Sequence, residues 1–176
     1  MGRVEKVEGS VDVSDGNIVY LKEDQSKGSF KNEAVIVDID GTLANPEHRL
    51  HHIGGATKNW QAFLDACPHD TPYPNIIALV QVLHNAGYHI IYLTGRNERY
   101  RAATATWLLT HKCPAAPIYM RPDQDFRSDV IVKQEIYEKQ IRGSYEVLIV
   151  LEDREKVVEM WRSLGLTCLQ VQAGKY

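Results

Sequence analysis

The residues best suited to chemistry stand in four places: Asp38 and Asp40 in "VIVDIDGTLA", Thr94 in "YLTGR", Lys133 in "VIVKQEIY", and Glu152 and Asp153 in "VLEDREK". In extended backbone, residues two apart face the same side, so Asp38 and Asp40 can enter one crevice while Ile39 returns to the core. Close carboxylates repel one another. With Glu152 and Asp153 nearby they form an oxygen-rich set suited to a hard divalent cation, Mg2+ that keeps several waters being the best fit. A lone Asp-x-Asp is more often a cap or a solvated turn; the conjunction with a hydroxyl, an ammonium and a second acidic pair favours a site. A calcium loop is excluded, because the sixth position from Asp38 is Leu43 instead of glycine and the twelfth is Arg49 instead of glutamate. No GxxxxGK[ST] occurs, so P-loop phosphoryl transfer is excluded as well.

These residues need a scaffold that brings them to one edge. Continuous apolar runs at 34 to 39, 88 to 93, 116 to 120, 145 to 151 and 167 to 171 predict strands buried on both faces. Between them run segments of helical period. Ile76, Ile77, Val80 and Leu83 lead to Gly87; Tyr100 to His111 carry a stripe that includes Trp107; Val157, Val158, Trp161 and Leu164 lead to Gly165. A further helix is expected from an N-cap at Ser128 to about Ile141. The alternation predicts an α/β fold with a central parallel sheet and helices on both faces. In such a sheet ligands bind beyond the carboxyl ends of the strands, where the candidate residues fall.

The segment 44–73 breaks this rhythm with prolines, a paired glycine, four histidines and one short helix expected near Trp60 to Ala66. Its place directly after the carboxylate pair predicts a lid. His48, His51 and His52 lack the spaced partners of a zinc site and read as solvated lid residues. Trp107 and Trp161 are expected in the core. Trp60 and Phe63 either pack the lid down or present an aromatic face to a base, packing being the reading preferred. Residues 1–33 are polar; "VDVSDGNIVYL" predicts a hairpin about Asp15-Gly16, and Glu23 to Ser29 a linker to the domain spanning 34–176.

The 176 residues carry a net charge of -3, which leaves no broad basic footprint for long nucleic acid, although local arginines can hold a phosphate or a strand end. Cys67, Cys113 and Cys168 are odd in number and show no CxxC, which points to a reducing, cytoplasmic setting without disulfides. No run approaches the ~18 apolar residues of a membrane span. Nothing in the sequence marks an obligate protein partner.

"DIDGT", Thr94, Lys133 and the Glu152-Asp153 pair, in this order on successive β-units, resemble the four motifs of the haloacid dehalogenase (HAD) superfamily. The resemblance implies a HAD-like Rossmannoid three-layer fold with a small lid insertion after the first strand. "DIDGTLA", "YLTGR", "MRPDQDFRSDVIVKQEIY" and "LEDREKVVEMWRSLGLTCLQV" are similar, more narrowly, to the 3′-phosphatase domain of phage polynucleotide kinase/phosphatase. This likeness implies that Asp38 is the nucleophile and Asp40 the acid and base, its pKa raised by its neighbour. It further implies that Asp38, the Asp40 carbonyl, Asp153 and Glu152 hold Mg2+ and that Thr94 and Lys133 donate to the phosphoryl oxygens. Arg96, Arg49, Arg127 and Gly95 are expected at the substrate, with Arg121 at the same edge and Asp125 and Asp129 orienting the basic groups. The expected substrate is a phosphorylated nucleic-acid end. A free nucleotide or another small phosphate ester is the alternative, and a non-catalytic end-binding domain a third reading.

Overall fold

The computed structural model describes residues 11–14, 18–21 and 32–174. The first two stretches are β1 (Val11–Ser14) and β2 (Ile18–Leu21), paired antiparallel with Val11 opposite Leu21. The turn expected at Asp15-Gly16 and the linker expected from Glu23 to Ser29 lie outside the described residues.

The larger unit begins at Asn32. Its strands and helices follow in order: β3 (Glu33–Val37), β4 (Ala44–Asn45), α1 (Trp60–Asp65), β5 (Thr71–Pro72), α2 (Pro74–Asn85) and β6 (His89–Asn97), then α3 (Arg101–Thr110), β7 (Ile118–Arg121), α4 (Asp129–Ile136), β8 (Glu146–Glu152), α5 (Glu155–Ser163) and β9 (Cys168–Gln170). The main sheet has the order β7-β6-β3-β8-β9, with every pairing parallel. After β6 and β7 the chain reverses its course across the sheet and adds β8 and β9 on the other side of β3. Crossovers share one hand, so a reversal of direction moves the helices to the opposite face.

Side-chain alternation records the result. Ala34 and Ile36 of β3, with Ile91 and Leu93 of β6, pack against α4 and α5 through Val132, Ile136, Val158 and Trp161. Val35 and Val37, with Ile90 and Tyr92, face α2 and α3 through Ile77, Val80, Trp107 and Leu108. A strand buried on both faces must be apolar throughout, as "AVIV" is. Trp107 and Trp161, at 3% and 0% exposure, lie in the core as expected.

Three elements depart from the expectation. β6 runs on through Asn97 instead of ending near Leu93, because its pairing with β7 slips between Thr94 and Asn97 and leaves Gly95 and Arg96 as a bulge. The helix from Asp129 changes at Tyr137 into a π-helical turn to Ile141, and the Ser128 hydroxyl makes no capping bond. The insertion has structure of its own: β4 and β5 pair antiparallel and tie its two ends together, and α1 is capped by Asn59, whose side chain accepts from Ala62 N at 3.0 Å. Among the described residues no helix is long and apolar enough to cross a membrane.

Candidate active site

β3 stands where the strand order reverses, the point at which an open parallel sheet leaves a crevice. Its ladder persists to Asp38, whose N–H donates to Leu151 O at 3.0 Å. The chain then wraps around Ile39: the Ile39 carbonyl accepts from Leu43 N at 2.9 Å and Ala44 N at 2.8 Å, and its fully buried side chain sits in the core. Gly41 has φ 87°, a left-handed conformation that a side chain would strain. The apolar residue between the two acids is thus the pivot of the turn.

Asp38, Glu152 and Asp153 offer carboxylate oxygens within 4.8 Å of one another, and all three residues are buried. Lys133 reaches them from α4, its Nζ donating to Asp38 Oδ1 at 2.6 Å and to Glu152 Oε2 at 2.7 Å. Burial and the charges of Glu152 and Asp153 push the Asp38 carboxyl up, against the pull of Lys133. Burial opposes the Lys133 charge, but Asp38 and Glu152 outweigh it and push the ammonium up. Three buried carboxylates around one ammonium form a hard, oxygen-only donor set that fits a divalent cation. The Asp40 side chain is not part of this set.

Asp40 lines the same cavity as Asp38, but its carboxylate is held by two arginines, Arg96 from β6 and Arg49 from the insertion. Arg96 Nη2 and Arg49 Nη2 each donate to Asp40 Oδ1 at 2.5 Å. Burial works against the charge on Asp40, but Arg96 and Arg49 overcome it and hold the carboxyl far below the usual range. The expected rise of the Asp40 pKa is therefore corrected: two guanidiniums, absent from the reasoning on a carboxylate pair, dominate its surroundings. Arg96 and Arg49, expected at the substrate, are both 0% exposed. The same Nη2 atoms also reach Asp70, Arg49 Nη2 at 2.6 Å and Arg96 Nη2 at 2.9 Å from Asp70 Oδ2, while Arg49 Nη1 donates to Phe63 O at 3.2 Å. Arg49 Nε also reaches Asp70 Oδ1 at 2.7 Å, and Arg96 Nη1 reaches Thr104 at 3.3 Å. The bulge in β6 is what aims Arg96 at Asp40.

Thr94 is fully buried at the strand end, its hydroxyl accepting from Arg96 N at 3.2 Å. At Gly95 a Cβ would lie 2.7 Å from Asp129 Oδ1. Asp129 bonds both Arg121 and Arg154. Arg121 also donates to the carbonyls of Gly95, Asp125 and Arg127 at 2.9, 3.1 and 2.7 Å, and so fixes the loop ahead of α4. Arg127 is exposed, paired with Asp125 and Glu135.

The insertion leaves an opening beside Asp38, a cavity of about 520 Å3 lined on one side by Trp60, Gln61 and Leu64 and on another by Arg121, Phe126 and Arg127. α1 is held against the domain by Gln61 Nε2, which donates to Tyr100 Oη at 2.7 Å, and by Tyr100 Oη, which donates to Asp65 at 2.7 Å. Phe63 packs as expected, 4% exposed with the Arg49 guanidinium 4.1 Å from its ring centre, whereas Trp60 stays half open. His48 Nε2 donates to Asp70 Oδ1 at 2.9 Å.

Sequence reasoning missed Asp70. No sequence signal marks it: Asp70 stands in "PHD" within the insertion, and only the fold turns Arg49 and Arg96 onto Asp40 and so calls for a second buried acid.

The family described as the polynucleotide kinase PNKP phosphatase domain matches residues 32–176. A protein of Autographa californica nuclear polyhedrosis virus, described as a bifunctional polynucleotide kinase/RNA ligase, is 30% identical over 135 residues, 76% of this chain and 18% of that protein. A chain in the Pnkp1/Rnl/Hen1 complex superposes with a TM-score of 0.70 at 32% identity, covering 82% of this chain and 47% of that one. This chain thus spans less than half the length of either relative. The class C acid phosphatase of Bacillus anthracis shares the fold, with a TM-score of 0.59 at 17% identity over 74% of this chain and 55% of that one. With its strand-end carboxylates at the switch point of a HAD-type sheet, and a family match running from the first core strand to the last residue, the chain belongs to the polynucleotide kinase phosphatase-domain family and is a phosphatase.

Proposed function

We propose that the protein removes the 3′-phosphate from nucleic-acid ends through an aspartyl-phosphate on Asp38, with Mg2+ as the cofactor. The observation that carries this reading is the division between the two strand-end carboxylates: Asp38 faces Lys133 and the acidic pair, while Asp40 is held apart by Arg49 and Arg96. An Asp38 oxygen attacks phosphorus, the bond from phosphorus to the 3′ oxygen breaks, and the leaving oxygen takes its proton from Asp40. Water then attacks the acyl phosphate, Asp40 takes the proton from that water, and phosphate leaves with Asp38 restored. The guanidiniums favour the anion that this second step needs. The negative charge of an entering phosphate monoester opposes them and favours the protonated form that the first step needs.

Asp38, Glu152 and Asp153, with the Asp40 main-chain carbonyl, would hold the cation, which when bound neutralises phosphoryl charge. Lys133 and Thr94 line the same strand ends and would donate to phosphoryl oxygens as charge shifts during transfer. Arg127, exposed at the cavity, and Gly95 beneath it would contact the substrate; Arg49 and Arg96 act through Asp40. Removal of a 3′-phosphate leaves a 3′-hydroxyl, the group a ligation step consumes. The likeness to part of a described kinase/RNA ligase and to a chain of the Pnkp1/Rnl/Hen1 complex supports that context.

The test is phosphate release from 3′-phosphorylated oligonucleotides, 3′-mononucleotides and 5′-mononucleotides, with Mg2+ or with chelator. The oligonucleotide should be the preferred substrate, chelator should stop turnover and added Mg2+ restore it. Asp38→Asn should lose roughly a thousandfold or more in kcat while its circular dichroism is unchanged. A preference for mononucleotides would move the assignment to a nucleotidase.

A further inference from the structure

Two aromatic rings at the cavity are not consumed by the packing of the domain. Phe126 is 92% exposed, the most open large apolar side chain among the described residues, and Trp60 is 50% exposed; both line the cavity that Asp38 and Lys133 also line. A phenyl ring left in water forgoes about 1.5–3 kcal/mol of burial. The ring is not out because its loop is slack: Arg121 holds the carbonyls on either side of it, at Asp125 and Arg127. Trp60 is equally fixed. It opens a helix capped by Asn59, and its ring packs edge-on to Phe63 at 5.8 Å.

The surroundings say what these rings can take. Arg99, Arg127 and Arg154 line the same cavity, so the apolar faces stand among guanidiniums. Aromatic faces beside cations are the combination that captures bases and the backbone charges next to them. A sugar phosphate or a small aliphatic ester would leave both rings bare. A cavity of about 520 Å3 has room for a nucleotide.

We propose that Trp60 and Phe126 capture the base of the terminal nucleotide by stacking, so that the preferred substrate is a strand end whose last base is unpaired. The proposal rests on the reading that the site takes phosphorylated nucleic-acid ends. A base held on protein rings has left its helical stack, which in a duplex costs a few kcal/mol, so a single-stranded end should react faster than a blunt duplex end.

The experiment compares a 3′-phosphorylated single strand with the same strand carrying an abasic terminal residue. Wild type is set beside Trp60→Ala, Phe126→Ala and the aromatic replacements Trp60→Phe and Phe126→Tyr. Stacking is worth ~1–3 kcal/mol per base, so each alanine variant should lower kcat/KM on the normal end by about tenfold, and removal of the base should cost wild type a similar factor. Ring removal and base removal together should cost no more than either alone, and the aromatic replacements should keep most of the rate. Alanine variants with full kcat/KM on the normal end, or losses that multiply between ring and base, overturn the proposal. If wild type releases no phosphate from either strand, the parent reading fails, and base capture is then decided by fluorescence anisotropy of a labelled single strand bound to Asp38→Asn protein. Weaker binding on loss of either ring upholds it, and equal affinity overturns it.

Discussion

Two guanidiniums on one carboxylate would leave Asp40 overcompensated, and Asp70 supplies the missing charge. Asp70 is 3% exposed, bonds both Arg49 and Arg96, and is anchored by its own carbonyl, which accepts from Trp107 Nε1 at 2.8 Å. It has no direct bond to Asp40, so its effect on chemistry passes through the two arginines: with Asp70 in place they are held where they fix the direction of the Asp40 carboxylate. Asp70→Asn keeps the volume and removes the charge. Breaking one side of a buried ion-pair network costs ~3–5 kcal/mol, so the urea midpoint should fall clearly. At a temperature where the variant is still folded, kcat should drop by roughly a hundredfold, the scale of a misplaced catalytic group, with KM little changed. A variant that loses stability but keeps kcat would reduce Asp70 to a structural residue.

At the scale of elements, the strand ends were legible and the route taken by the arginines was not. "AVIVDI" announces a buried strand with acids at its end because apolar continuity and carboxylates are written in residue types. The slip of β6 against β7 was hidden because "TGRN" extends the strand by hydrogen bonds that depend on a partner 24 to 26 residues away, from Thr94 with Met120 to Asn97 with Arg121. The pairing that closes the lid insertion was hidden for a related reason: β4 and β5 are two residues each, too short to carry a period, and only their pairing reveals them. Arg49 and Arg96 look alike in sequence whether they meet phosphate or carboxylate; only the fold, by bringing Asp70 beneath them, separates the two. The bulge also makes a testable demand. Gly95 lies against Asp129, where a Cβ would approach Oδ1 to 2.7 Å, and Asp129 in turn holds Arg121 and Arg154. Gly95→Ala should therefore lower kcat/KM by about tenfold and cost ~1 kcal/mol of stability through displacement of that carboxylate. Made in an Asp129→Ala background, the same substitution should cost much less, and a double-mutant cycle measures the difference. Equal costs in both backgrounds would place the strain elsewhere.

For the whole molecule, burial that builds the two faces of the sheet also sets how the fold responds to alkali. Cys67, Cys113 and Cys168 are free and buried, the first two toward the α2 and α3 side of the domain and the third under α5. Burial pushes the thiols of Cys113 and Cys168 up to about 11 each, and raises Cys67 and the Tyr92 hydroxyl in the same direction. An unfolded thiol titrates near ~8.5. The folded chain thus binds more protons than the unfolded chain between about pH 8.5 and 11, and stability must fall as pH rises through that window. The stabilisation is complete below pH ~8.5 and is lost as the pH passes the folded values. Cys113 and Cys168 should each contribute roughly 2 kcal/mol to the loss by pH 10.5. Urea midpoints measured in reductant at pH 8 and pH 10.5 should show the decline, and Cys113→Ala with Cys168→Ala should flatten it although both variants start from a lower midpoint because of the cavities. At pH 8 the same burial should keep all three thiols nearly inert to an aromatic disulfide reagent until urea is added. Rapid reaction of the native protein, or a midpoint independent of pH up to 10.5, would mean that the thiols are not sealed in the layers where the fold puts them.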